Sequence, residues 1–345
     1  MSNPKVTFII PVYNVEKYLR ECLDSVVNQS LRDIQIICVN DGSTDSSPNI
    51  LNAYAEIDQR ITVINLSNSG LSIARNSAYS SVVGEYILFL DSDDFIDKSA
   101  AEKLYENARL HDADVVLFNI FYCNDKSVPY KIVRNGERQD IIMGGEQRKK
   151  LILDSRGTVC DKIYRSDLLL RNNIKFPERL FGEDQAVTFL SIALANKISI
   201  FPEAFYYYRM VAGSLSHSYN KNKRQTDAIH VYNFLRGELI RLGLFDEFGE
   251  LFSLRKLKVF YRHFRRAIYL TEKERLNIFR ENILEDDIEN FHKHIDLFKK
   301  NEKRVLSCII DNKPLPLLDK ICDQLNRLTP FLDYCKHFLR SRFEL

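Results

Sequence analysis

The sequence predicts an α/β fold: a mainly parallel sheet with helices on both faces, followed by a C-terminal helical region. Three observations carry this. Over the first 120 residues, apolar β-rich runs alternate with segments of helical period. The runs are near-continuously apolar, as in a sheet covered on both sides. From about residue 222 the pattern is helical with charged faces and almost no β signal. Strands joined through helices by short links favour parallel pairing with right-handed crossovers.

The elements follow in order. Strands are expected at 6–12, 34–39, 61–66, 86–90 and 114–118. The helix over 15–28 sets Tyr18, Leu19, Cys22, Val26 and Val27 near one face. Ser43 or Thr44 caps a helix running to residue 57, Ser72 one to residue 82, and Asp97 one to residue 111. Residues 120–180 are less regular, with Gly136, Gly144, Gly145 and Gly157, and a helix near 145–154. Residues 184–196 read as helix. The expected division is an α/β domain at 1–220 and a helical region at 221–345.

Composition is that of an ordinary globular protein, 45% hydrophobic and 28% charged over 345 residues, which excludes disordered and collagen-like classes. The net charge of +2 conceals an asymmetry: residues 1–220 hold 24 Lys and Arg against 28 Asp and Glu, residues 221–345 hold 25 against 19. The seven cysteines are widely spaced, with no CxxC, and read as free buried thiols in a reducing compartment. The short run at 6–10 ends in Pro11 and is no signal peptide, and no apolar stretch reaches the roughly 18 residues of a membrane span. The expected location is the cytoplasm.

Ligands on such sheets bind beyond the carboxyl ends of the strands. There lie Pro11-Val12-Tyr13-Asn14, Asn40-Asp41-Gly42-Ser43, Asn68-Ser69-Gly70 and Asp91-Ser92-Asp93-Asp94. On an extended segment Asp91 and Asp93 point the same way. A hard divalent cation, Mg²⁺ or Mn²⁺, removes their mutual repulsion and fills its other positions with water and phosphate oxygens; a solvated acidic loop is the plain alternative. Asp41 is either a turn former before a helix cap or an acceptor for a nucleotide base or ribose. No GxGxxG or GxxxxGK[ST] stretch occurs, which disfavours dinucleotide dehydrogenases and P-loop kinases. Arg75 is a surface arginine or pairs with the acidic rim or a substrate oxygen. Glu183-Asp184 suit a helix N-terminus, or serve as a carboxylate that takes a proton from an attacking hydroxyl. Arg209 and His217 are either solvated or reach a diphosphate or metal across a loop at Gly213-Ser214.

Taken together, Pro11 to Asn14, Val39 to Asp45, Asn68 to Asn76, Phe89 to Asp94 and Gly182-Glu183-Asp184 resemble the ordered motifs of glycosyltransferase family 2, inverting enzymes of GT-A fold, over roughly residues 4–218. The resemblance implies a nucleotide-sugar donor, usually a UDP-sugar. It implies a donor site at Pro11, Tyr13, Asn14, Asp41, Asn68, Arg75, Asp91, Ser92, Asp93 and Arg209. Asp91 and Asp93 are then the metal ligands and Asp184 the general base, with His217 a second-tier candidate for the metal. Glu183, Asp94 and Lys162 fall on the acceptor side. Asp161-Lys162-Ile163-Tyr164 and Tyr208-Arg209 resemble members that build bacterial surface polysaccharides, although the family's Trp-Asn before the lysine is here Cys160-Asp161.

In the tail, Arg255, Lys258, Arg262, Arg265 and Arg266 share one face of a helix, with Leu254, Leu257, Phe260, Phe264 and Ile268 opposite. Such a helix suits an anionic membrane surface on the inner leaflet and a lipid-linked acceptor, or packs on the catalytic domain, or forms a homodimer; Phe331–Leu345 is a second candidate. Near-neutral charge and the lack of a reader motif argue against nucleic acid. The competing functions are a sugar nucleotidyltransferase, which lacks its basic glycine-rich loop here, and a non-catalytic carbohydrate- or membrane-surface module. The carboxylates at 41, 91, 93 and 184 argue against the second.

Overall fold

The computed structural model describes residues 3–210, 221–267, 270–311 and 313–315, with only the backbone of 221–225. The described residues form two compact units. The first holds the described residues up to 210 together with Phe234–Leu244, and the second holds 221–233 and the described residues from Phe245 onward.

The first unit opens with β1 (Val6–Val12), α1 (Glu16–Val27), β2 (Ile34–Asp41), α2 (Ser47–Ile57), β3 (Ile61–Leu66), α3 (Leu71–Ser77) and β4 (Tyr86–Phe89). β5 (Phe95–Ile96), α4 (Ala100–His111), β6 (Val115–Cys123), β7 (Pro129–Val133), β8 (Asp140–Ile142) and α5 (Gly145–Asp154) follow. β9 (Lys162–Arg165), α6 (Ser166–Leu170), α7 (Asp184–Leu194) and β10 (Ile198–Arg209) complete the sheet, whose strand order is β3-β2-β1-β4-β9-β6-β10-β5.

The block β3-β2-β1-β4 is parallel throughout, with Phe8 opposite Ile36 and Leu88. Its centre is fully buried: Phe8, Ile9, Ile10, Ile36, Ile37, Leu88 and Phe89 expose no surface. Each such side chain contributes about 1.5–3 kcal/mol on leaving water. Phe89 meets Tyr164 and Phe176 edge-on, with ring centroids 5.8 and 5.3 Å apart. Beyond β4 the sheet becomes mixed. β9 runs antiparallel to both β4 and β6, and β6 and β10 are parallel to each other.

Helix starts differ from expectation. α2 begins at Ser47, not under a Ser43 or Thr44 cap: its first amides are met by Asp45 Oδ1 (2.9 Å to Ser47 N) and Glu16 Oε2 (2.7 Å to Ser46 N). Asp45 Oδ2 in turn accepts from Glu16 N–H at the start of α1 (2.9 Å), so two helix N-termini exchange acids. Ser72 does not cap α3; its hydroxyl donates to the Pro177 carbonyl (2.7 Å). α4 starts at Ala100, with Asp97 accepting from Ser99 instead of capping directly.

The second unit contains the first part of α8 (Lys221–Arg241), then α9 (Phe245–Arg266), α10 (Glu272–Arg280), α11 (Glu285–Lys293) and α12 (Lys300–Ile310). Phe260 and Phe264 pack edge-on against Phe279. The continuous basic stripe expected on α9 is broken. Arg255 is 4% exposed, because α9 packs against α10, α11 and α12 and is enclosed on more than one side. Lys256, also buried, forms an ion pair with Asp287 (2.6 Å) between the rings of Phe252 and Phe260. Asp287 also accepts the Leu284 N–H at the start of α11. Ile268 and Phe331–Leu345 lie outside the described residues. Among the described residues no helix is long and apolar enough to cross a membrane.

Candidate active site

The ends of β1, β2, β3 and β4 form one rim, as the alternation requires. Asn14, with φ of +48°, turns the chain after β1; its Oδ1 accepts the Thr44 N–H (2.7 Å) and its own N–H donates to Ser43 Oγ (3.1 Å). This ties the loops after β1 and β2 together. Asp41 is 4% exposed, and its two oxygens accept the N–H groups of Ser69 (2.7 Å) and Gly70 (2.8 Å). Gly42 follows with φ of +72°, and a Cβ there would meet Asn68 N at 2.7 Å. Only glycine lets the β2 and β3 loops approach this closely. Pro11 is buried, whereas Tyr13 (47% exposed), Asn14 and Asn68 present surface on the rim.

The acidic segment is not extended. The Asp94 N–H donates to the Asp91 carbonyl (3.0 Å), closing a turn over Asp91–Asp94. Its cause lies 112 or more residues away. Asp94, 2% exposed, accepts from the Tyr206 hydroxyl (2.5 Å) and the Arg209 N–H (2.7 Å), and Tyr206 Oη accepts the Asp91 N–H (3.2 Å). Burial and the charges of Asp93 and Asp91 push the Asp94 carboxyl well above the usual range. Asp94 therefore supports the turn and, expected on the acceptor side, offers an acceptor almost no surface. Ser92 is buried at 8% exposure. Asp93 is half-buried; burial and the neighbouring Asp91 push it up to about 6.

Arg209 is neither solvated nor open to a diphosphate. It is 3% exposed and stacked between Tyr18 and Phe95, 4.9 and 5.2 Å from the ring centroids. Its Nε donates to the Asp93 carbonyl (2.8 Å), Nη2 to Glu21 (2.7 Å), and Nη1 to Ser127 Oγ (2.8 Å) and the Asp125 carbonyl (3.2 Å). It braces the turn from beneath. His217 lies outside the described residues.

Arg75 is the centre of the site. It is 1% exposed, over the ring of Phe176 (5.1 Å), and pairs with the acidic rim. Nη2 donates to Asp91 Oδ1 (2.8 Å); Nη1 donates to Asp184 Oδ1 (2.7 Å) and Glu183 Oε1 (3.0 Å). α3 brings these acids in: Asn76 donates to the Phe176 carbonyl (3.0 Å) and accepts the Phe176 N–H (2.9 Å), fastening the segment that leads to α7. Burial and the Asp184 charge push Glu183 up to about 7, against the pull of Arg75. Asp184 is also raised by burial, with Arg75 pulling it back. Each of these two acids is bonded to Arg75, and Glu183, 7% exposed, offers an acceptor molecule little surface.

Lys162, expected on the acceptor side, presents no surface to an acceptor. It is fully buried, bonded to Asp161 and to the Thr158 carbonyl (2.7 Å). Sequence reasoning missed Val159, whose N–H donates to Asp184 Oδ2 (3.2 Å), and Cys160, whose Sγ lies 3.4 Å from Asp91 Oδ2. The available signal was Asp161-Lys162 directly ahead of the apolar Ile163-Tyr164: opposite charges at the head of a buried strand must satisfy each other. Cys22, Cys38, Cys123, Cys160 and Cys308 are free and buried. Among the described residues no group of three or more His, Cys, Asp or Glu is arranged to hold a metal ion.

A parallel sheet rim, an acidic turn and a second acidic pair joined by one arginine can hold a charged ligand beside a proton acceptor. Comparison with known proteins agrees in kind. The profile of Glycosyl transferase family 2 matches residues 7–171. The chain is 34% identical over 227 residues to glycosyltransferase GlyA of Streptococcus pneumoniae, covering 63% of this chain and 32% of that protein. It is 35% identical over 209 residues to a poly(ribitol-phosphate) beta-glucosyltransferase of Bacillus spizizenii, covering 59% of this chain and 32% of that protein. The match thus spans about a third of the length of these curated relatives. Among solved structures it is similar to S. aureus TarS 1–349 in complex with UDP-GlcNAc, with 25% identity and a TM-score of 0.59 over 90% of this chain and 92% of that one.

Proposed function

The chain carries a glycosyl transferase family 2 domain, and from that premise we propose that it is an inverting transferase moving a sugar from a UDP-sugar to a hydroxyl of a bacterial surface glycan, lipid-linked glycan or polyol-phosphate polymer. Arg75 is the observation that carries this reading. One guanidinium joins Asp91 of the acidic turn to Asp184 at the head of α7. A donor diphosphate at the turn and an acceptor hydroxyl at Asp184 are then neighbours. Asp184 takes the hydroxyl proton while the oxygen attacks the anomeric carbon opposite the diphosphate, and a single displacement inverts the stereochemistry. Burial keeps the Asp184 carboxyl more basic than a solvated one, while Arg75 keeps it ionised.

Asp91 and Asp93 fit a divalent cation. Both offer oxygen, no side chain is bonded to the Asp93 carboxylate among the described residues, and a bound cation would offset the Asp91 repulsion that adds to burial in raising its pKa. Mg²⁺ or Mn²⁺ takes one or two carboxylates and leaves its other positions to water and phosphate oxygens. Such an ion, when bound, offsets charge developing on the leaving diphosphate. Tyr13, Asn14 and Asn68 present the rim to the nucleoside, and Asp41, holding the Ser69–Gly70 backbone, fixes its floor.

The test is isothermal titration with UDP, GDP and CMP, each with and without Mn²⁺, beside Asp93→Asn, followed by turnover of UDP-GlcNAc and UDP-glucose. Metal-dependent UDP binding lost in the variant supports the reading. A folded protein that binds no nucleotide with any metal overturns it.

A further inference from the structure

We propose that Asp161 and Lys162 are positioning residues for the transfer step: a buried ion pair that shapes the loop at 156–160 so that two adjacent residues hold Asp184 and Asp91. The inference rests on the roles given to those two carboxylates above.

Lys162 heads β9 and Asp161 precedes it; both are fully buried. The Lys162 ammonium donates to Asp161 Oδ1 and to the carbonyls of Thr158 (2.7 Å) and Arg156 (3.5 Å), so the preceding segment folds back round a single charge. Asp161 Oδ2 accepts from Arg156 Nη2 (2.7 Å) and Asn135 Nδ2 (2.9 Å). The Thr158 carbonyl also accepts from Thr188 Oγ1 (3.2 Å), one turn along α7 from Asp184. The loop is therefore tied at once to the ion pair and to the helix that carries the base.

The consequence appears at the next two residues. Val159 N–H donates to Asp184 Oδ2 (3.2 Å), and the Cys160 thiol donates to Asp91 Oδ2 (3.4 Å). Arg75 occupies the other oxygen, Oδ1, of each. Both carboxylates are thus held between the same two clamps, the guanidinium on one oxygen and this loop on the other. Two contacts per carboxylate fix its rotation as well as its place.

Stability alone does not ask for such a pair. A buried ion pair costs desolvation, and apolar groups of similar volume serve folding as well or better. Orientation does ask for it, because a misplacement on the order of 1 Å costs about 10²-fold in rate.

The test removes both charges together. Asp161→Asn with Lys162→Met keeps the volume and leaves no unpaired buried charge, and Arg156, 27% exposed, can turn to water. The expected result is a urea midpoint at or above that of the unsubstituted protein, with kcat for UDP-GlcNAc turnover falling about 10- to 100-fold. Unchanged kcat, or a loss of activity only in step with loss of folded protein, overturns the proposal. A second measurement needs no substrate. Asp184→Asn is combined with the pair in a double-mutant cycle read by urea unfolding. Midpoint shifts that fail to add uphold the link from the pair to the base, and additive shifts overturn it. If the folded protein turns over no UDP-sugar, the transferase reading fails and the cycle still decides this one.

Discussion

Glu183→Gln should stabilise the protein above neutral pH and leave it unchanged in acid. Glu183 is 7% exposed, beside Asp184, and both acids share Arg75 Nη1. Burial and the Asp184 charge push its carboxyl up to about 7 from the usual 4.5. A carboxyl raised in the folded state favours folding fully below its unfolded pKa and loses that contribution as pH rises through the folded one. The window therefore runs from about pH 4.5 to about pH 7. A rise of that size corresponds to about 3 kcal/mol at most. Asp184 and Arg75 act on the same shift, so the substitution recovers only part of it, about 1–3 kcal/mol. Glutamine keeps an oxygen for Arg75 and removes the charge. The assay is urea unfolding followed by far-ultraviolet circular dichroism at pH 4.5 and pH 8. A higher midpoint at pH 8 alone is expected. No gain at pH 8, or an equal gain at both, would refute the electrostatic account.

Three further outcomes follow from the same geometry. Asp184→Asn removes the proton acceptor, so kcat should fall about 10²- to 10⁴-fold with UDP affinity retained; turnover at the unsubstituted rate would sink the base assignment. Gly42→Ala places a Cβ 2.7 Å from Asn68 N at a φ of +72°, costing about 1–3 kcal/mol and weakening nucleotide binding; an unshifted thermal midpoint would contradict the close approach. Lys256→Met leaves Asp287 buried without its ammonium, a loss of about 3–5 kcal/mol; adding Asp287→Asn should return most of it, and failure to do so would place the loss elsewhere.

The parallel block was legible because β1, β2 and β4 are buried apolar runs and β3, though partly exposed, is rich in β-branched residues, signals that survive without partners. Short strands such as β5 and β8 were not, since two or three residues carry no period. At the site, the rim loops and the pairing of Arg75 with acids could be anticipated from strand ends and residue chemistry. The shape of the acidic turn could not. Its determinants, Tyr206 and Arg209, are more than a hundred residues distant, and nothing local distinguishes a turn from an extended DxD. The same holds for Lys162 and Arg255. Helical period reports which residues share a face, not whether that face is later covered, as α9 is.

Charge balance at the turn makes one more prediction. Asp91, Asp93 and Asp94 lie within four positions, and burial, with their mutual repulsion added, raises Asp93 and Asp94. The described cations that touch the turn are already engaged: Arg75 with three carboxylates, Arg209 with Glu21, Ser127 and two backbone carbonyls. A diphosphate brought here alone adds further negative charge. Each like-charged pair about 4 Å apart costs about 4 kcal/mol at an effective dielectric of 20. One such unscreened pair already weakens binding by about 10³-fold. UDP affinity should therefore fall by at least that factor in EDTA and return with Mn²⁺, while the unfolding midpoint stays fixed because the fold does not depend on the ion. UDP binding of equal strength with and without chelator would mean that the diphosphate avoids the turn, and Asp91 and Asp93 would lose their role in holding the donor.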